Sequence, residues 1–121
     1  MLLDSNIIIY AAKPEHEDLR RLIAEKAPSV SAVSYVEVLG FHRLEEYERR
    51  HFEAFFSSAR ILPLSQAVLD QAIRLRQARK MSLGDALVAG TALAYELTLI
   101  TRNVDDFARI EGLSILNPFR G

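Results

Sequence analysis

The chain has 121 residues, half of them hydrophobic and 26% charged, with no cysteine and a formal net charge of −1. This length fits one domain, residues 1–121, with a core that needs no staples. The missing cysteine excludes disulfides and thiolate metal sites, and the near-neutral charge argues against a general nucleic-acid coat, so any nucleic-acid role must come from a local site.

The opening "MLLDSNIIIY" is an apolar run broken by Asp4, Ser5 and Asn6. It predicts a buried strand over Met1–Leu3, an exit at the polar triplet, and a helix start over Ile7–Ala12. Pro14 suits the first turn of the next helix, with Glu15, Glu17 and Asp18 near its N-terminus, as the helix dipole favours. Leu19, Leu22 and Ile23 trace one face of that helix, and Pro28 ends it. "SVSAVS" (29–34) predicts a strand followed by a cap, and Tyr35–Phe41 a helix turn or two. Residues 44–59 read as a charged helix with Leu44, Tyr47, His51, Phe52, Phe55 and Phe56 on one broad side.

"RILPL" (60–64) predicts a short strand, and Ser65 caps a helix over Gln66–Arg79. Leu83–Tyr95 is apolar nearly all round and predicts a buried helix. Residues 97–103 predict a buried strand with a polar end, 104–110 a helical turn, and Leu113–Leu116 a last strand. This alternation predicts an α/β sandwich with a mainly parallel sheet. No basic n-region precedes the first apolar run, and the longest apolar run, Ala86–Tyr95, falls short of the roughly 18 residues a membrane span needs. A soluble, cytoplasmic protein is expected.

Most of the sixteen acids lie on charged faces. Four places differ. Asp4 follows the first strand directly, where open α/β sheets bind ligands, although Asp-Ser-Asn also suits a helix cap. Glu37 sits among Val33, Tyr35, Val36, Val38 and Leu39, three residues after Ser34 in a capping-box spacing. Asp85 opens an apolar helix, three residues after Ser82 in the same spacing. Asp105 and Asp106 follow the strand that ends near Thr101.

Each acid alone is explained as a cap or turn residue. Together they predict a carboxylate cluster at one sheet edge. Such a cluster repels itself and raises its own pKa values unless a divalent cation fills it. Hard oxygen donors without cysteine or a histidine pair favour Mg²⁺ or Mn²⁺, which serve phosphoryl chemistry. Ser5, Asn6, Thr101 and Asn103 are polar companions able to orient carboxylates or outer waters. His16, His42 and His51 show no metal-ligand spacing and read as surface or core-edge residues.

Four segments carry a family resemblance: "LLDSNIIIY", "SAVSYVEVLG", "SLGDALVAGTAL" and "LITRNVDDFARIEGL", in this order along almost the whole chain. The sequence resembles PIN-domain ribonucleases, and more closely the VapC-like toxins of bacterial and archaeal toxin–antitoxin pairs. The resemblance implies a three-layer α/β/α sandwich around a mainly parallel sheet, with acids meeting at one edge. It implies catalytic roles for Asp4, Glu37, Asp85 and Asp106, with Asp105 the less favoured choice for the fourth place. Asp4 and Asp85 would be the principal Mg²⁺ (or Mn²⁺) ligands, and Asn103 and Thr101 supporting residues. Relatives often carry threonine after the first aspartate; Ser5 keeps the hydroxyl.

The resemblance further implies endonucleolytic RNA cleavage, a homodimer, and a VapB-like antitoxin that blocks the site and binds DNA through its own domain. Candidate phosphate contacts are Arg74, Arg76, Arg79 and Lys80 in "RLRQARK", and Arg102 beside the acids; a solvated helix face also explains the first four. Two other readings are weaker. A haloacid-dehalogenase-like phosphatase needs a second aspartate where Asn6 stands. A catalytically silent PIN-like scaffold would have lost an acid, and all four acidic places are filled.

Overall fold

The computed structural model describes residues 1–119, so Arg120 and Gly121 of the expected domain lie outside the described residues. Five short strands form one parallel sheet: β1 Leu2–Leu3, β2 Ser29–Ser31, β3 Arg60–Leu62, β4 Leu99–Ile100 and β5 Ile115–Leu116. Their order is β3-β2-β1-β4-β5. The chain builds outward from β1 to β3, then crosses back to place β4 on the other side of β1. The reversal makes a switch point at the carboxyl ends of β1 and β4, where open α/β sheets form clefts.

The period of two along a strand divides the core into two layers. Leu3 and Ile100 pack with Ile7, Ile8, Leu19, Val38, Phe52 and Phe56. Leu2 and Leu99 pack with Leu75, Val88, Ala92, Phe107 and Ile110. The first layer holds helices α1 (Ser5–Ala11), α2 (Glu17–Lys26), α3 (Ala32–Leu39) and α4 (Glu46–Ser58). The second holds α5 (Gln66–Ala78), α6 (Leu83–Ala94) and α7 (Val104–Phe107). Strands covered on both faces become continuous apolar runs, which is why "LL" and "LI" suffice. The result is the expected α/β/α sandwich.

α6 is the most deeply buried helix: Ala86 through Ala92 are all buried. Gly90 lets it press onto α5, because a methyl there would stand 2.9 Å from the Val68 carbonyl oxygen. Ser65 and Ser82 cap α5 and α6 as expected, accepting from the backbone N–H groups of Val68 and Asp85.

Several boundaries differ from expectation. α1 starts at Ser5, not Ile7, because the polar triplet is a cap and a first turn. Pro14–His16 form a separate 3₁₀ turn before α2. The strand and cap predicted within 29–34 are both present, but the strand ends at Ser31, whose hydroxyl accepts from the Val33 N–H and starts α3 three residues earlier than Ser34 would. The aromatic side of α4 divides: Phe52 and Phe56 are buried, while Tyr47 is 70% exposed. Among the described residues, no helix is long and apolar enough to cross a membrane.

Candidate active site

Asp4 follows β1 and is only 4% exposed. It occupies the cap position of α1 but makes no side-chain cap hydrogen bond. Its Oδ2 instead accepts a 2.8 Å hydrogen bond from Oγ1 of Thr101, the buried residue that follows β4. The two strand ends at the switch point are thus tied to each other. Burial pushes the Asp4 carboxyl up to about 6, the Thr101 hydroxyl opposes the shift, and the charges of Asp85 and Glu37 add to it. Thr101 Oγ1 also accepts from the Asn103 N–H at 3.0 Å, so Asn103 contributes through its backbone.

Glu37 projects from α3 and is exposed. The reading of Ser34 and Glu37 as a capping box fails, since Ser31 is the cap and Ser34 is a buried residue within the helix. Ser5 Oγ lies 2.8 Å from both Ser34 Oγ and Glu37 Oε1. A carboxylate only accepts, so Ser5 donates to Glu37 and receives from Ser34. α6 supplies the other wall: a methyl on Gly84 would stand 2.5 Å from Glu37 Oε2. The glycine leaves the space this carboxylate fills.

Asp85 is the next residue, in the first turn of α6. Its carboxyl is pushed up by burial first, against the pull of the Ser82 hydroxyl, and further by the charges of Asp106 and Glu37. Asp106, rather than Asp105, is the acid of α7 whose field acts on Asp85. Asp4, Glu37, Asp85 and Asp106 therefore form one electrostatically linked group. Asn6 is exposed on α1, outside the hydrogen bonds that hold this group.

The cations sort into two sets. Arg79 and Lys80 line a cleft with Asp85, Asp105 and Asp106. Arg76 turns its Nε to the Met81 carbonyl at 3.3 Å. Arg102 lies over the rings of Tyr10 and Phe119, 5.2 and 4.7 Å from their centroids, and also lines a second cleft with Asn103, Asp105 and Asp106. Sequence reasoning missed three residues here. Ser34 reads in sequence as a cap, Gly84 carries no chemistry of its own, and Arg109, which lines the first cleft, lies outside every basic run. A glycine in the first turn of an apolar helix, beside an acid, was the signal available for Gly84.

Among the described residues, no three acid or histidine side chains converge into a closed metal cage. Mg²⁺ does not need one, because it keeps several waters and takes one or two carboxylates. A buried carboxylate with a raised pKa, facing other carboxylates, fits that demand.

The PIN domain family model matches residues 1–113. The chain belongs to the PIN domain family. No curated protein matches it significantly. Solved structures similar to this PIN-domain protein include a toxin-antitoxin complex from Klebsiella pneumoniae, 29% identical, covering 97% of this chain and 96% of that one, with a TM-score of 0.75. VapBC-1 from nontypeable Haemophilus influenzae is 25% identical over 96% of each chain, with a TM-score of 0.79. DNA-bound VapBC from Salmonella typhimurium shares the fold at 22% identity over 95% of each chain, with a TM-score of 0.83. These likenesses mark a VapC-like PIN-domain protein.

Proposed function

We propose that this protein is a metal-dependent endoribonuclease and the toxin of a toxin–antitoxin pair, acting as a single PIN unit in the cytoplasm. The observation that carries the reading is the buried Asp4, held at the switch point by Thr101 and facing the charges of Asp85 and Glu37. Structural scaffolding gives no reason to bury a carboxylate without an ion-pair partner.

In this reading Asp4 and Asp85 hold Mg²⁺ or Mn²⁺. When bound, the metal lowers the pKa of a water and stabilises charge on the scissile phosphate. The protein's own part is positional. Thr101 fixes one oxygen of Asp4 and favours its ionised form. Ser5 and the gap at Gly84 aim Glu37, whose exposed carboxylate can take a proton from an attacking water. Asp106 adds negative charge on the α7 side, where it strengthens the attraction for a cation.

The partner reading rests on the neighbours, which are toxin–antitoxin complexes. A mainly apolar groove of about 360 Å³ runs between α1, α2 and α4, lined by Ile8, Ile23, Ala24 and Phe55 together with Arg20 and His51. It suits the apolar face of an antitoxin helix. The exposed Leu69 and Ile73 of α5 offer a surface for a homodimer.

The test is RNA cleavage by the purified protein with Mg²⁺ or Mn²⁺, with EDTA, and with Asp4→Ala and Asp85→Asn beside the wild type. Cleavage that needs both the metal and these acids is expected. Cleavage that survives EDTA or Asp4→Ala sinks the mechanism.

A further inference from the structure

Beside the acids lies an open cleft of about 350 Å³ in which Arg79, Lys80 and Arg109 share the walls with Asp85, Asp105 and Asp106. Arg79 and Lys80 come from the turn that ends α5, and Arg109 from the chain just after α7. Three cations beside three carboxylates would be expected to pair. Among the described residues, none of these cations forms an ion pair. Arg79 Nε is buried and has no hydrogen-bond partner. A buried donor left in that state is unfavourable until an acceptor reaches it. The protein supplies none, so a small shift of the side chain would be needed for water or a ligand oxygen to satisfy it.

The arrangement selects the ligand. Cations kept off the acids leave the carboxylates available for a metal and leave the guanidinium forks available for oxyanions. Arginine meets a phosphate with two parallel hydrogen bonds, and lysine adds a compact point charge. The cleft is also not isolated. Asp105 and Asp106 form a ridge shared with the second cleft, where Arg102 and Asn103 stand. A ligand that crosses the acidic ridge and meets cations on both sides is a chain of phosphates, not a single small anion.

We propose that the cleft under Arg79, Lys80 and Arg109 binds the phosphate next to the one cleaved, on one side of the scissile bond in single-stranded RNA. The proposal rests on the endoribonuclease reading and adds Arg109 as a substrate-binding residue. It also sorts the basic run: Arg79 and Lys80 face RNA, while Arg76 serves the α5–α6 turn through Met81.

The experiment measures cleavage kinetics and their salt dependence for Arg79→Gln, for Lys80→Gln with Arg109→Gln, and for Lys26→Gln as a control on the far end of α2. The Lys80/Arg109 pair is exposed, so its variant keeps the test valid if Arg79→Gln unfolds. The expected result is KM raised roughly tenfold per cation, with kcat little changed. The slope of log affinity against log salt should fall by about 0.7 per cation removed. Unchanged KM and slope, in a protein that cleaves RNA, overturn the subsite and leave the nuclease reading standing. If the wild type cleaves no RNA, the nuclease reading fails. Binding of a labelled single-stranded RNA in EDTA then decides the subsite: weaker binding by the variants supports it, and equal binding overturns it.

Discussion

Thr101 Oγ1 donates a 2.8 Å hydrogen bond to Oδ2 of the buried Asp4. It is the protein's main device for keeping that carboxylate ionised against the burial that drives its pKa upward. Thr101→Val keeps the shape and removes the donor. The expected outcome is an acidic limb of the pH–rate profile moved to higher pH, with stability lower by about 1 kcal/mol. A profile identical to the wild type's would show that the hydroxyl does not tune Asp4.

Gly84→Ala separates stability from activity. Alanine is favoured over glycine in a helix by about 0.8–1 kcal/mol, so α6 itself gains. The new methyl, however, claims the place of Glu37 Oε2, which sits at the end of a side chain free to swing away. We expect a Tm equal to or above the wild type's, and cleavage reduced on the order of tenfold to a hundredfold, as misplacing a reacting group does. In a Glu37→Ala background the same change should cost nothing further. Additive losses in that cycle would show that Gly84 acts elsewhere.

Asp4 makes the metal-free fold sensitive to pH. Its folded pKa of about 6 lies above the ordinary aspartate value of 3.8, so the folded state favours the protonated acid. The stability this confers is fully present below pH 4 and is lost as pH rises through about 6, by about 3 kcal/mol in total. The Tm of the protein in EDTA should therefore carry a component that falls between pH 4 and 6. Asp4→Asn should lack that component, melt higher than the wild type at pH 7.5, and show no stabilisation by Mg²⁺. A wild type whose melting gains nothing from millimolar Mg²⁺ would count against the metal site.

Ala24 borders the groove between α2 and α4 and does not line the clefts that Asp85, Asp105 and Asp106 line. Ala24→Glu places a charge on that groove. It should weaken inhibition by the cognate antitoxin by tenfold or more, in line with a charge set into an interface core, and leave uninhibited cleavage unchanged. Full inhibition of this variant would move the antitoxin to another face.

The parallel sheet was legible because "LL", "SVS" and "LI" are apolar or small runs between helical patterns, and Asp4 and Asp85 stood out as acids in apolar surroundings. The start of α3 was misread because Ser31 and Ser34 are equally good caps in isolation. Tertiary contact decides between them, since Ser31 Oγ also lies 3.2 Å from Thr91 Oγ1 of α6. Gly84 and Arg109 were invisible for a related reason. Their roles exist only where α3, α6 and α7 meet, and no local pattern encodes that meeting.

β1 is two residues long and is clamped from both ends of the chain. Ser29 donates to the Met1 carbonyl on one side, and Leu2 donates to the Thr98 carbonyl on the other. The strand that carries Asp4 therefore has no finished form until β4 has been made. Chains stopped before Leu97 should show neither cleavage nor Mg²⁺ stabilisation. On the ribosome the acids emerge one by one as harmless side chains of an unfinished polypeptide. Under the endoribonuclease reading, the protein is thereby inert until β4 has been translated.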